Sequence, residues 1–117
     1  MNVEALKELA EKVEAGETGK QICRSLIWSS FGRDFRVAGD PIGRIFDYIL
    51  DPEDIRAMGA AKSLHEALLP GWRWEGGAGG LFAVWDDPAE PYKGRSDIPA
   101  RAWLLAILRA LIAEAQQ

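Results

Sequence analysis

Apolar residues return every three or four positions near the start of the chain, at Val3, Leu6, Leu9 or Ala10, and Val13. That period predicts a helix with one buried face. Asn2 stands where an N-cap is needed, Gly16 supplies a stop, and Glu8 and Lys12 form a favourable pair one turn apart. Thr18-Gly19-Lys20-Gln21 then has the form of a capping box. In that motif the threonine oxygen accepts an amide proton three residues on, and the glutamine reaches back. A second helix is expected from there to about Ser30, with Ile22, Leu26, Ser29 and Ser30 inward and Cys23 and Ile27 beside that stripe. The short link makes the two helices antiparallel neighbours.

Between residues 31 and 62 the period is lost. Phe35, Val37, Ile42, Ile45, Phe46 and Ile49 need burial, but Gly32, Gly39 and Gly43 interrupt any long element. Asp40-Pro41 and Asp51-Pro52 each look like a cap followed by proline in the first helical turn. They predict short helices over 41–49 and 52–58, the second closed by Gly59. Ser63-Leu64-His65-Glu66 repeats the capping-box spacing and starts another short helix, ended by Pro70-Gly71.

The period then changes to two. Trp72 and Trp74 fall on one face of an extended segment, and Leu81–Trp85 forms a second. Gly76, Gly77, Gly79 and Gly80 flank Ala78 between them, as a reversal requires. A three-residue loop centred on Ala78 groups Trp72, Trp74, Phe82 and Val84; a two- or four-residue loop groups both tryptophans with Leu81, Ala83 and Trp85. The first is preferred, because Arg73 and Glu75 then share the wetter face with Ala83. Asp86–Ser96, rich in proline, glycine and charge, reads as an exposed connection. Asp97 caps a long final helix with Pro99 in its first turn and a stripe of Ala100, Trp103, Leu104, Ile107, Leu108 and Leu111. Leu105 and Ile112 widen that stripe, so cover on more than one side, or a homodimer seam, is open to this helix.

The expected fold is therefore α+β, one domain over 1–117. A small antiparallel sheet, built on a hairpin of 71–76 and 79–85 with a candidate third strand at 35–37, is layered between helices in an α-β-α arrangement. Composition agrees: of 117 residues, 48% are hydrophobic and 27% charged, as in ordinary globular domains. One cysteine excludes an intrachain disulfide framework and a cysteine-based zinc site. The N-terminus is too charged for a signal peptide, and the longest apolar run, Ala102–Leu108, falls short of a membrane span. A cytoplasmic location follows as an expectation. The net charge of −4 argues against a dedicated nucleic-acid binder. Residues 18–44 nevertheless carry a local excess of base, from Lys20, Arg24, Arg33, Arg36 and Arg44.

A family resemblance rests on SLHEALLPGWRW, the glycine-rich reversal after it, and the closing IPARAWLLAILRALIAE. Together these resemble the phage ABA-sandwich domain proteins, small proteins of tailed phages and prophages. The matching positions are Ser63, Leu64, Ala67, Leu68, Pro70, Gly71, Trp72 and Trp74, then Pro99, Ala100, Ala102, Leu105 and Leu108. The likeness covers 60–112 and, more loosely, 15–30, while 31–58 has no counterpart. These are packing motifs. The resemblance implies a phage or prophage origin and a layered fold, and it brings no catalytic residue, cofactor or metal ligand.

Candidate chemistry is sparse. His65, the sole histidine, lacks an orienting carboxylate and reads as a solvated helix residue. Cys23 reads as a small apolar filler. The EGGAGG run lacks the Lys-Ser/Thr of a phosphate-binding loop and opens no helix. Asp86-Asp87 before Pro88 starts a turn more readily than it seats a metal. The best candidate surface combines Arg24, Arg33, Arg36 and Arg44 with Phe31 and Phe35, types favoured at binding hot spots, and adds Trp85 as the tryptophan expected to be partly exposed. The expectation is a non-catalytic accessory protein that binds a host or phage protein, with no direct nucleic-acid, membrane or cofactor role. A counter-defence inhibitor, mimicking or occupying a nucleic-acid site or sequestering a nucleotide, is the alternative. An enzyme would require a cleft gathering His65 with Asp47, Asp51 or Asp54.

Overall fold

The computed structural model describes residues 1–77 and 79–117. Helix α1 (Val3–Glu14) begins as expected: the Asn2 side chain accepts the amide of Ala5, and Ala5, Leu6, Leu9 and Val13 are buried. Lys12 pairs with Glu17 beyond the helix, not with Glu8. The Thr18 box makes a turn. Gln21 Oε1 does accept the Thr18 amide at 2.8 Å, but the backbone closes onto the Thr18 carbonyl, and α2 (Arg24–Phe31) starts only after Cys23. Its inner face is Ile27 and Ser30, one step round from the expected stripe, and Ser29 is exposed.

Strands β1 (Arg36–Val37) and β2 (Asp40–Pro41) form a hairpin of their own, so the strand expected near 35–37 exists but does not join the main sheet. Its turn residues, Ala38 and Gly39, both have positive φ, at 52° and 86°. Asp40-Pro41 is thus strand, and α3 (Ile42–Leu50) follows it, burying Ile42, Ile45, Phe46, Ile49 and Leu50. The helix expected over 52–58 is replaced by turns. A single helix α4 (Ala57–Leu68) runs through Gly59 and the Ser63 box, because Ala57, Ala60, Ala61 and Leu64 recur at helical spacing and are buried.

The main sheet has the order β3 (Arg73–Gly77), β4 (Leu81–Trp85), β5 (Tyr92–Arg95), antiparallel throughout. Gly77 pairs with Leu81, so three residues link the strands and the pairing is shifted by one from a loop centred on Ala78, a residue outside the described ones. The shift preserves parity. Trp74 lies beside Val84 and Gly76 beside Phe82, and the preferred facing of Trp72, Trp74, Phe82 and Val84 stands.

The connection expected over 86–96 contains β5. Gly94 is buried there against α5 (Pro99–Ala115), and an added Cβ would lie 2.6 Å from the Ala106 amide nitrogen. Ile98, not Asp97, is the N-cap of α5, with its amide bonded to Ser96 Oγ.

The fold is α+β, a small sheet among helices. α5 packs against β4 and β5 of the sheet and also against α1, α3 and α4. Leu105 is consequently spent on β5 and is not free to form a dimer seam. The core centres on Trp103, which touches Trp74 and Phe82 at centroid distances of 4.2 and 5.1 Å. Burying one such indole contributes roughly 4–6 kcal/mol as an upper estimate. The guanidinium of Arg101, also buried, donates to the carbonyls of Val13 and Glu17 and so ties α5 to the end of α1. That burial holds its pKa below the usual arginine value.

Candidate functional site

An open groove of about 760 Å³ separates the 18–24 segment from the end of α3. Ile22, Leu50 and Pro52 supply its apolar wall, and Lys20, Cys23, Arg24, Asp47 and Asp51 its polar rim. Arg24 fixes the geometry. It is the first residue of α2, and its fork grips Asp47 through Nη1 at 3.1 Å and Nη2 at 2.5 Å while Nη1 also donates to the Gly43 carbonyl at 2.7 Å. Gly43 and Asp47 lie one turn apart on α3. A Cβ on Gly43 would stand 2.8 Å from Arg24 Nε, so the guanidinium lies across α3 only because that position has no side chain. Bidentate pairing of this kind adds directional precision as well as attraction.

Cys23 occupies the N-cap of α2 and is exposed, which corrects its reading as an apolar filler. Its Sγ sits 2.9 Å from Ser25 Oγ. The Ser25 hydroxyl, followed by the Ser25 and Leu26 amides, holds the thiol pKa below its ordinary value.

The groove ends at Asp51-Pro52, and the chain then makes a pinned turn. Asp51 Oδ1 accepts the Glu53 amide at 3.0 Å. Asp54 Oδ1 accepts both the amide (2.8 Å) and Nε (3.0 Å) of Arg56, and Oδ2 accepts Nη2 (2.9 Å). These bonds from Arg56 hold the Asp54 carboxyl below the usual carboxylate range. The Arg56 guanidinium also lies 4.0 Å over the Tyr48 ring. Between the two pinned residues Ile55 is 97% exposed, and Met58, a turn further on, is 40% exposed.

The expected surface residues fall in two places. Arg24, Phe31, Phe35, Arg36 and Arg44 belong to α2, the segment after it, β1 and α3, which pack together. Phe31 is half-buried, 6.2 Å from Phe35 and 5.8 Å from Phe46. Each arginine there ends on a local partner: Arg24 on Asp47, Arg33 over the Trp28 ring at 4.9 Å, Arg36 on the Gly39 carbonyl, and Arg44 beside Asp40 at 3.8 Å. They do not converge on one pocket, and only Arg24 lines the groove. Trp85 lies elsewhere, half-exposed on β4 opposite Arg73.

His65 is a correction. It is 2% exposed, and both ring nitrogens are used. The Trp103 indole can only donate, so Nδ1 accepts from it at 3.3 Å, and Nε2 carries the proton given to the Trp72 carbonyl at 3.0 Å. The ring therefore clamps α4, the entry to β3, and α5. Asp47 and Asp51 line the groove and Asp54 lies in the turn, so the structure does not gather them with His65. Among the described residues, no three His, Cys, Asp or Glu side chains come together in a way that could hold a metal ion, and no helix is long and apolar enough to cross a membrane. Sequence reasoning missed Ile55 and the groove, since neither follows from a periodic pattern.

Compared with protein-family models, curated proteins and solved structures, the chain matches none.

Proposed function

We propose that this chain is a non-catalytic accessory protein of phage or prophage origin, acting in the cytoplasm by binding a host or phage protein through the face that holds the groove. The observation that carries the proposal is Ile55. Its neighbours Asp54 and Arg56 are committed to holding the turn, so a large aliphatic side chain is presented to solvent on a fixed backbone. Seating it in a partner is worth about 1.5–3 kcal/mol. The groove, whose lining ends at Pro52 three positions before Ile55 in the chain, is apolar on one wall and charged at the rim, the make-up of a protein interface. Arg24, locked on Asp47, offers a preorganised donor set at that rim. The motif resemblance supports the phage origin.

The test compares two immobilised baits, the wild-type chain and Ile55→Asp, in host and phage-infected lysates with quantitative mass spectrometry. A protein retained by the wild type and lost with Ile55→Asp is the expected result. If no protein separates the two baits at any salt concentration, the proposal falls. Lys20, which makes no ion pair among the described residues, favours a second reading in which the groove takes an anion. A thermal upshift with a cyclic nucleotide, abolished by Lys20→Glu, would move the function to counter-defence by nucleotide sequestration.

A further inference from the structure

The two edges of the main sheet are treated differently. At β5 an edge carbonyl is capped: Arg109 donates from Nη1 to the Lys93 carbonyl at 2.8 Å while its other nitrogen is held by Glu14. At β3 nothing comparable occurs. All five of its residues are exposed, its pairing with β4 is regular with no bulge, and it carries neither proline nor lysine. Edge strands in folded proteins are ordinarily blunted by such devices, because a bare edge is a template for another strand. Trp74, the second residue of this strand, is stacked on Phe82 and tilted against Trp103, and is still 42% exposed.

We infer that β3 is the docking edge for a second copy of this chain, joined antiparallel about a two-fold axis through Trp74. The sequence Arg73-Trp74-Glu75 is self-complementary in that register and in no neighbouring one. Centring on Trp74 sets Arg73 opposite Glu75 of the second copy twice over, on the solvent face of the sheet, and sets the two Trp74 rings side by side on the α5 face. Moving the axis to Arg73 or to Glu75 brings like charges together, which destabilises a cross-strand pair. Moving it half a residue puts the charges of one copy on the tryptophan face of the other. Glu75 makes no ion pair among the described residues, and Arg73 meets Asp87 through Nε at 2.8 Å, leaving its terminal nitrogens for a new partner. Trp72 comes opposite Gly76, over which the Phe82 ring lies, and its own N–H and carbonyl are bonded to Leu69 and His65, so the new backbone pairing is confined to Trp74. The product is an isologous six-stranded sheet, β5-β4-β3-β3-β4-β5. A five-residue edge buries little area, which places the dimer in the weak class, with a dissociation constant on the order of micromolar or above.

Sedimentation equilibrium of the full chain over a wide concentration range tests this directly. The wild type is expected to show a reversible monomer–dimer equilibrium that weakens with salt. Glu75→Arg and Arg73→Glu each place two like-charged pairs across the axis, and each is expected to weaken dimerisation at least tenfold. Mixing those two variants restores both attractive pairs, as does the double swap Arg73→Glu/Glu75→Arg within one chain, and both are expected to dimerise like the wild type. Circular dichroism on each variant checks that these exposed changes leave the fold intact. A wild type that stays monomeric at millimolar concentration overturns the inference. So does a dimer indifferent to the charge changes, whose seam would lie elsewhere, for example beside Ile112, or an edge that pairs only with an added foreign peptide.

Discussion

Replacing Gly94 by alanine tests the packing of the sheet on its helix with the smallest possible probe. The added Cβ would lie 2.6 Å from the amide nitrogen of Ala106, 2.9 Å from Leu105 Cβ, and closer still to the carbonyl oxygen of Ala102. Two of those three obstacles are helix backbone, which has no rotamer to change. β5 must lift off α5, and α5 also packs against β4, α1, α3 and α4. Overpacking a core costs typically 1–3 kcal/mol, and with backbone as the obstacle a value of about 3 kcal/mol is expected. At roughly 2.1 cal/mol/K of unfolding entropy per residue, each kcal/mol moves the melting temperature of a chain this size by about 4 °C. The variant should therefore melt about 12 °C lower.

The control is the same substitution at Gly59, inside α4, exposed and with nothing within 4 Å of the added carbon. There alanine only improves helix propensity and restricts the unfolded chain, a gain of about 0.5–1 kcal/mol. Scanning calorimetry gives both melting temperatures, and urea titrations give the free energies with a check on m. The reasoning fails if Gly94→Ala melts within about 2 °C of the wild type, or if Gly59→Ala is destabilised to a similar extent.

Three further outcomes are expected. Ala38 holds a φ of 52° beside Gly39 in the two-residue β1–β2 turn, a conformation that favours glycine or asparagine. Ala38→Gly and Ala38→Asn should each stabilise by about 0.5–1 kcal/mol in urea titration, and a loss of stability in both would contradict the turn assignment. His65→Leu removes the acceptor of the buried Trp103 N–H and the donor to Trp72, at a cost of about 2–3 kcal/mol; equal or greater stability would mean the clamp is idle. Alkylation of Cys23 by iodoacetamide should reach half its maximal rate at a lower pH than an ordinary cysteine, since the thiolate is stabilised by Ser25 and two amides. Ser25→Ala removes the largest contribution and should move that midpoint upward, and an unmoved midpoint would refute the cause.

Long, strongly patterned segments were readable from sequence, and the misses have identifiable causes. α1 and β4 each show a sustained period, the footprint of one buried face, and α5 shows a long apolar run that is buried nearly all round. β5 left no such footprint, because the residue it buries is Gly94, whose contribution is the absence of a side chain and carries no hydropathy. β1 and β2 are two residues each, too short for any alternation to register. In α4 two local stop-and-start signals, Gly59 and the Ser63 box, pointed one way, and the alanine stripe from Ala57 to Leu64 won through tertiary packing. The Thr18 box failed for a related reason: Gln21 does reach back to the Thr18 amide, but the turn it closes ends at Cys23 instead of continuing as helix.

The site was less legible than the fold, and the reason is the difference between composition and position. His65 follows Leu64 on the stripe of Ala57, Ala60 and Ala61, so its burial could have been read from spacing; reading it as a lone polar residue missed that. The excess of arginine between residues 24 and 44 was visible, whereas the local acceptor that engages each guanidinium depends on the folding of β1, β2 and α3 onto α2. Ile55 is the converse case. An isoleucine between two charged residues looks like a minor interruption of a polar turn, and only the bonds from Asp54 to Arg56 reveal a backbone fixed so that the side chain points away from the core. Arg73-Trp74-Glu75 depends on position in the same way: the triplet becomes self-complementary only because β3 is an edge strand, whereas β5 has an edge carbonyl capped. Both surfaces join an apolar side chain that the fold leaves at the surface to a charge arrangement it fixes. Ile55→Asp tests one and the Arg73/Glu75 swaps the other, so each can fail without the other.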